Sequence, residues 1–351
     1  MFGLVQGLAL TVLGAICAGG FGLLLRLQRR YAWENTWMLS QFVTMIFLPI
    51  ITLQLLLSSS WISAIEGVAD STVFLAMGLG FFWGIGGVAF AIGIESVGLS
   101  LGYATIMGVI TSVGSIIPMV RKWGAVPHDA KLITLCGIVV CLMGVVLYGR
   151  AGILREKGEV ASSISGPTEL TTAKNRVRMT AIGLGWCLLS GILSSCSNIG
   201  FDFAAPIARA LEKLGARPLQ ASLVRWVPVF WGGYLAVIVF SGIAMTKNHT
   251  WRNFTKVGTG LDFTRAVSLG ALSFFAQGLY GMGASSLGLL GTTVGYAVFL
   301  SLSIVVALVF GFLIGEWKQA PRRSLNVLQL GVTVLIAAVV ILAYGNSLVS
   351  R

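Results

Sequence analysis

The chain has 351 residues, of which 56% are hydrophobic and 10% charged, and its mean hydropathy is +0.90. This balance excludes an ordinary soluble domain and indicates a protein that crosses a membrane several times. The net charge of +12 is assigned to contact with anionic lipid headgroups, because the sequence contains no motif for binding nucleic acid.

Apolar runs are the main structural signal. Each helical crossing of a bilayer core about 30 Å thick needs about 20 apolar residues. Ten runs of this size predict an all-α membrane protein with ten transmembrane helices, and no basic segment precedes the first run, as it would in a signal peptide. The five cysteines lie inside these runs, so neither a disulfide nor a metal site is predicted. The runs are 3–25, 36–58, 71–95, 99–120, 131–149, 178–203, 220–245, 265–287, 289–315 and 324–346.

Two stretches of the chain have a similar outline, residues 81–104 and residues 274–297. Both contain a Phe-Phe pair, then Ser-x-Gly-Leu, then Gly-Tyr-Ala, with three extra residues after Leu290 in the second copy. In each copy we expect two apolar helices to meet at a tight turn in the Ser-x-Gly-Leu segment. The chain is therefore predicted to use one membrane unit twice.

Residues 150–177 form the longest polar connector and divide the ten runs into five and five. The prediction is a first repeat at 1–149, a linker at 150–177 and a second repeat at 178–351. Because five is odd, the second repeat must enter the membrane in the opposite sense, which gives an inverted repeat. This architecture is typical of transporters that expose a mid-membrane site alternately to each side.

The distribution of basic residues predicts the orientation. Connections on one face, including 150–177, hold about twice as many lysines and arginines as those on the other, and such residues concentrate in cytoplasmic loops. We therefore expect a cytoplasmic linker and both termini in the periplasm.

The candidate substrate site starts from Trp83 and Gln277, which lie at the centres of the third and eighth runs. A buried amide is costly in hydrocarbon unless it finds a partner or lines a wet cavity, so Gln277 is not expected to face lipid. Ser273, Gln277 and Tyr280 share one helix face, and the Trp83 indole suits the apolar face of a sugar ring. The alternative is that Trp83 is interior packing and Gln277 a hydrogen bond between helices.

Further polar and aromatic residues extend the predicted cavity. Asn198 belongs to a stripe at four-residue spacing on the sixth run, and Trp37 and Gln41 share a face of the second run. Tyr103 of the fourth run is repeated by Tyr296 of the ninth. All five are predicted to contact the substrate.

Ion coupling requires a carboxylate that can take up a proton inside the membrane. Asp202, which ends the polar stripe of the sixth run, is the first candidate, and Glu34, at the cytoplasmic start of the second run, is the second. Each has a simpler explanation, an interfacial position for Asp202 and a favourable helix N-terminus for Glu34. Asn248-His249-Thr250 matches a glycosylation sequon, which has little meaning on a cytoplasmic loop.

Four segments of the chain have a distinctive order and spacing: Trp33-Glu34-Asn35-Thr36-Trp37 after the basic stretch 26–30, Trp83-Gly84-Ile85-Gly86, Gln277, and Glu316-Trp317 followed by Arg322-Arg323. Together they resemble the bacterial L-rhamnose/proton symporter family of the drug/metabolite transporter superfamily, along nearly the whole chain. The resemblance implies a ten-helix inverted repeat in the cytoplasmic membrane that takes up a 6-deoxyhexose with a proton. Residues 198–202 and the segment after Gln277 follow the family less closely, so substrate choice can differ there.

The predicted function is proton-coupled sugar uptake, with a sugar, protons and membrane lipids as partners and with no cofactor. An exporter of drugs or metabolites from the same superfamily is the first alternative, and a sensor that binds without transporting is the second. A membrane-embedded enzyme would need facing Ser/His, paired Asp or metal-binding residues inside the bilayer, and both histidines lie in predicted loops.

Overall fold

The computed structural model describes residues 2–163 and 173–349, and every regular element in these ranges is a helix. Two π-helical turns occur, at Val43–Phe47 and Gly291–Gly295, and the 3₁₀ turns include Thr250–Phe254 and Gly288–Leu290. The α-helices are α1 Phe2–Arg26, α2 Trp33–Phe42, α3 Leu48–Leu57, α4 Ser60–Glu66, α5 Asp70–Val97, α6 Leu99–Arg121, α7 His128–Ser163, α8 Ala173–Phe203, α9 Ala205–Lys213, α10 Pro218–Val224, α11 Trp226–Lys247, α12 Gly260–Ser286, α13 Tyr296–Leu313 and α14 Arg322–Ser347.

Among the described residues, nine helical segments are long and apolar enough to cross a membrane. They correspond to nine of the ten predicted runs. The eighth run is also one helix, the 27-residue α12, but it is not among the nine. Polar residues such as Ser273 and Gln277 and several glycines are spread along α12, and no 18-residue stretch of it is apolar enough to be counted with the nine.

The predicted Ser-x-Gly-Leu turns are present in both copies. α5 ends at Val97 and α12 ends at Ser286, and the glycine that follows each end has a positive φ, 89° at Gly98 and 75° at Gly288. L-residues with a side chain rarely adopt this conformation, which explains glycine at both positions. The turn that the sequence predicts is therefore a helix stop.

The two copies differ after the turn. In the first copy α6 begins directly at Leu99. In the second copy a 3₁₀ turn and the π-helical turn Gly291–Gly295 precede α13. This irregular stretch contains the three extra residues, and π-helical turns are frequent at functional sites.

Long helices pack in antiparallel pairs through small residues. A β-carbon placed on Gly14 of α1 would lie 2.9 Å from the Ala276 carbonyl oxygen of α12, and one on Gly86 of α5 would lie 2.9 Å from the Ser194 nitrogen of α8. Such contacts let two backbones approach closely, as small residues do in membrane bundles. The α1–α12 and α5–α8 pairs position the residues of the candidate site.

The bundle has two ends, which we name by what lies there. At the terminus face α1 begins and α14 ends, and Asn346 Nδ2 donates to the Leu287 carbonyl at 3.2 Å. At the linker face α7 ends and α8 begins, and Ser324 Oγ donates to the Ala151 carbonyl at 2.6 Å. α7 continues to Ser163 and α8 begins at Ala173, so much of the predicted linker is helical, while its positions 164–172 lie outside the described residues.

The short helix α9 lies on the terminus face. Ile207 and Leu211 are fully buried, whereas Arg209 and Glu212 are exposed. α9 is therefore a surface helix with a buried apolar side and a solvated charged side.

Candidate functional site

The two predicted tryptophans lie along one wall of the bundle interior. Trp83 of α5 is partly buried, and its ring centroid lies 6.2 Å from that of Phe230 of α11. Trp37 of α2 reaches the same helix, since its Cζ2 lies 3.5 Å from where a β-carbon on Gly87 would be. Gly87 is one turn from Trp83, so the two indoles border adjoining parts of the same space.

Two predicted amides lie on α2 and α12. Gln41 is 5% exposed and Gln277 is partly buried. Gln277 lies on the side of α12 between Gly270, which contacts α2, and Gly281, which contacts α11. Neither amide hydrogen-bonds to another residue within the two described ranges. Because unpaired buried amides are unfavourable, these groups are suited to a polar ligand. We group Trp37, Gln41, Trp83 and Gln277, which lie on α2, α5 and α12, as one candidate site and call it the central chamber.

A layer of aromatic rings lies between the central chamber and the terminus face. The Phe230 ring stacks on Trp226 at 5.1 Å, and Trp226 lies 4.6 Å from Phe201. Tyr280, which is fully buried, lies 6.0 Å from Phe201. Trp226 and Phe201 are no more than 2% exposed, so this layer is buried inside the bundle.

Asn198 is held by the protein itself. Its Nδ2 donates to the carbonyls of Gly114 in α6 and Thr292 in the π-helical turn, each at 2.8 Å. Its Oδ1 accepts a hydrogen bond from the Tyr280 hydroxyl. Both amide protons and the amide oxygen are thus engaged. The structure places the predicted substrate residues Asn198 and Tyr280 together, at a junction of four segments, α6, α8, α12 and the π-helical turn.

The repeat-related tyrosines have different surroundings. Tyr296 is buried beside the junction, with its ring 5.5 Å from Tyr280. Tyr103 is partly buried, in edge contacts with Phe90 at 6.3 Å and Tyr148 at 6.4 Å. Only Tyr296 therefore belongs to the same packed cluster as Asn198.

Asp202 lies near the terminus face in a cluster of charges. Its Oδ1 accepts from Lys122 Nζ at 2.6 Å and from Thr292 Oγ1 at 2.7 Å, and its Oδ2 accepts from Arg121 Nη1. The Asp202 side chain is 2% exposed. Burial lowers the pKa of the Lys122 amine, and the Asp202 carboxylate, which raises it, offsets only part of this effect. Asp202 thus links α8 to the end of α6 and to the π-helical turn.

Glu34 lies at the linker face and has a different environment. The side chain is buried, and its Oε1 accepts from Thr250 Oγ1 at 2.7 Å and from Asn248 Nδ2 at 3.1 Å. No lysine or arginine in the described part of the chain forms an ion pair with it. The two candidate carboxylates therefore lie at opposite ends of the bundle, one ion-paired and one bound by neutral donors. In the same part of the chain no three His, Cys, Asp or Glu side chains converge as a metal site would require.

Comparisons with known proteins cover nearly the whole chain. A family model described as L-rhamnose-proton symport protein (RhaT) matches residues 2–348. L-rhamnose-proton symporters of Cronobacter sakazakii and Klebsiella pneumoniae are 27% and 26% identical over 350 residues. The symporter of Citrobacter koseri is 25% identical over the same length, and each alignment covers 97% of this chain and 98% of the relative.

Proposed function

We propose that the chain, which belongs to the L-rhamnose-proton symport protein family, carries L-rhamnose or a related 6-deoxyhexose together with a proton across the cytoplasmic membrane. The near full-length family match is the observation that carries this proposal, and it assigns the chain to transporters and not to enzymes. The helices long enough to span a bilayer support a multi-pass membrane protein.

The proposed fold has ten spans, with α12 as the eighth. At 27 residues α12 is about 40 Å long, which is enough to cross a bilayer core of about 30 Å. It packs along α1, which is one of the nine apolar spans, and Gly270, Tyr280 and Gly283 on it are buried. A polar helix covered by neighbouring helices is tolerated inside a membrane, so low hydropathy does not argue against a span here.

Matched packing supports an inverted repeat. α1 packs on α12 as α5 packs on α8, and α1 contacts α13 as α6 contacts α8, which is the pattern that exchange of two five-span halves produces. In the α7–α14 pair, Gly137 meets Leu342 and Gly331 meets the Tyr148 nitrogen. A shift of 194 positions carries Gly137 onto Gly331 and Tyr148 onto Leu342. We propose repeats at 1–149 and 178–351, joined by 150–177.

The proposed orientation puts the linker face in the cytoplasm and both termini in the periplasm. The support is the excess of basic residues in connections at the linker face. A cysteine added after Arg351 is expected to react with an impermeant thiol reagent on intact cells. Reaction only after the cells are permeabilised would reverse the orientation.

The proposed sugar site is the central chamber. The free amides of Gln41 and Gln277 offer both donors and acceptors to ring hydroxyls. The Trp37 and Trp83 indoles offer flat apolar faces to the C–H face and the methyl group of a 6-deoxyhexose. Asn198 and Tyr280, with Tyr296 beside them, form the end of the site towards the terminus face, and Tyr103 lies on the first-repeat side.

We propose Glu34 as the proton carrier and Asp202 as the latch of the closed terminus face. Lysine and arginine have no acceptor atoms, so a protonated Asp202 would leave the Lys122 and Arg121 charges without a counterion. The hydroxyl of Thr250 and the amide of Asn248 can each reverse and accept a hydrogen bond from a protonated Glu34. Glu34 can therefore change its charge with smaller rearrangement of its neighbours.

The mechanism that follows is alternating access. In this structure the aromatic layer and the Asp202 latch close the terminus face. Opening that face requires the end of α6 to separate from α8 and from the π-helical turn, which breaks the Asp202 contacts with Arg121, Lys122 and Thr292. A rocking motion of the two repeats would do this while it closes the Glu34 side.

The test is reconstitution into liposomes that contain a pH-sensitive dye. L-rhamnose added outside is expected to acidify the lumen and to accumulate under an inward proton gradient, and D-glucose serves as the control sugar. Rhamnose flux without acidification would mean that the protein carries the sugar without a proton, as a uniporter does. Absence of flux with every 6-deoxyhexose tested would overturn the proposed function.

A further inference from the structure

A polar pocket opens on the terminus face beside the Asp202 latch. Its volume is about 360 Å³, and it lies between the ends of α6, α8 and α12, the helix α9 and Arg225, which directly precedes α11. Four cationic side chains line it, Arg121, Lys122, Arg209 and Arg225, against the two carboxylates of Asp202 and Glu212. The lining thus has two positive charges in excess.

Arg225 is the buried member of this set. Its side chain is 7% exposed, and the guanidinium lies 3.8 Å from the centroid of the Phe201 ring. Nε donates to the Phe201 carbonyl at 2.9 Å, and Nη1 makes a long contact of 3.4 Å with Ser285 Oγ. No carboxylate of residues 2–163 or 173–349 lies within ion-pair distance of it, and Nη2 has no protein acceptor there. The edge formed by Nη1 and Nη2 is therefore largely unused.

A buried guanidinium without a counterion is unfavourable, because its desolvation is not repaid by an opposite charge. The nearby carboxylate cannot supply that charge, since Asp202 is already bound by Arg121, Lys122 and Thr292. Glu212 is exposed on α9. The pocket beside Arg225 thus lacks one or two negative charges.

We propose that this pocket binds a phosphate-bearing anion, through a forked contact from Arg225. Arginine presents two parallel N–H groups that match two phosphate oxygens, which is why it is favoured at such sites. Arg121 retains N–H groups that Asp202 does not use. Lys122 Nζ donates to Asp202 and to Thr292 Oγ1, which leaves it one further N–H, and the Ser285 hydroxyl borders the same space. The phosphate can belong to a free anion or to the headgroup of an anionic phospholipid, since the pocket lies at the ends of membrane spans.

The first arm of the test uses inorganic phosphate on the full chain in a neutral detergent, at constant ionic strength set with chloride. Phosphate is expected to raise the unfolding temperature saturably. Arg225→Gln is expected to weaken the apparent affinity at least tenfold, and Arg225→Lys, which keeps the charge but loses the fork, to weaken it less. The matched control is Arg323→Gln, the same change on an exposed arginine at the linker face, which is expected to have no effect.

The second arm compares nanodiscs of phosphatidylglycerol with nanodiscs of phosphatidylcholine. The site is assigned to a lipid headgroup if phosphatidylglycerol stabilises the wild type, Arg225→Gln removes this stabilisation, and free phosphate has no effect. If neither ligand stabilises the protein, or if the Arg225 variants respond as the wild type does, the proposal is wrong. Should Arg225→Gln not fold, the comparison of Arg225→Lys with wild type decides the same question. Sugar transport is not read in either arm, so failure here leaves the proposed function untouched.

Discussion

Variants at the Asn198–Tyr280 contact distinguish whether Asn198 stabilises the fold or binds the substrate directly. Asn198→Ala removes three hydrogen bonds, two donated to backbone carbonyls and one accepted from the tyrosine hydroxyl. Hydrogen bonds between membrane helices contribute on average about 0.6 kcal/mol each, so the variant is expected to lose about 2 kcal/mol of unfolding free energy without sugar. Tyr280→Phe removes one of these bonds and is expected to lose less.

The assay is a double-mutant cycle on unfolding in mixed detergent micelles. The single bond between the two side chains predicts a coupling energy of roughly 0.6–1.7 kcal/mol. A coupling below about 0.3 kcal/mol would be indistinguishable from additive, independent sites and would refute the contact. Unchanged stability of Asn198→Ala with a large loss of sugar affinity would instead make Asn198 a direct ligand of the sugar.

Three further variants test other parts of the site. Gln277→Ala is expected to raise the half-saturating sugar concentration roughly 3- to 10-fold, as loss of one neutral hydrogen bond does, without lowering the folded yield. The control Gln329→Ala, at an exposed glutamine, is expected to transport as the wild type does. Normal uptake by Gln277→Ala would show that this amide only packs between helices. Asp202→Asn removes the carboxylate that raises the pKa of Lys122. The Lys122 amine should therefore lose its proton, and become reactive towards an amine reagent, at a lower pH than in the wild type. If mass spectrometry shows the same pH dependence of labelling in both proteins, the pairing is contradicted. Asp262→Asn weakens the hydrogen bonds that the Asp262 carboxylate accepts from the backbone N–H groups of Arg29 and Arg30, at 3.0 and 3.2 Å. The free energy of unfolding should fall by about 1–3 kcal/mol. Wild-type stability would show that this link from α12 to the α1–α2 connection is dispensable.

Local features of the fold were readable from the sequence. Helix lengths follow from apolar runs, and the Ser-x-Gly-Leu pattern predicted the helix ends at Gly98 and Gly288 because a glycine is needed where φ is positive. The π-helical turn Gly291–Gly295 was not predicted. The alignment of the two repeats shows where three residues are inserted, but it does not predict the backbone conformation that they adopt.

The partners of the two carboxylates were not readable. Asp202 is bound by Lys122, 80 residues away, and by Thr292, 90 residues away, and such pairs depend on how helices pack. Glu34 is bound by Asn248 and Thr250, which the sequence suggested only as part of a sequon. The signal that could have linked Glu34 to these partners is that Asn248 and Thr250 follow the end of a span, at the same face of the bundle as Glu34.

Sugar-dependent proton influx in Glu34→Gln proteoliposomes tests the central claim most directly. Glutamine keeps the size of the side chain and can still accept from Thr250, but it cannot take up a proton. We expect this variant to exchange labelled L-rhamnose across the membrane at near wild-type rate, without acidification of the lumen and without accumulation against a gradient. The matched change Glu66→Gln, at an exposed glutamate, should transport both sugar and protons. Rhamnose-driven acidification in Glu34→Gln equal to that of wild type would contradict the assignment of the proton to Glu34.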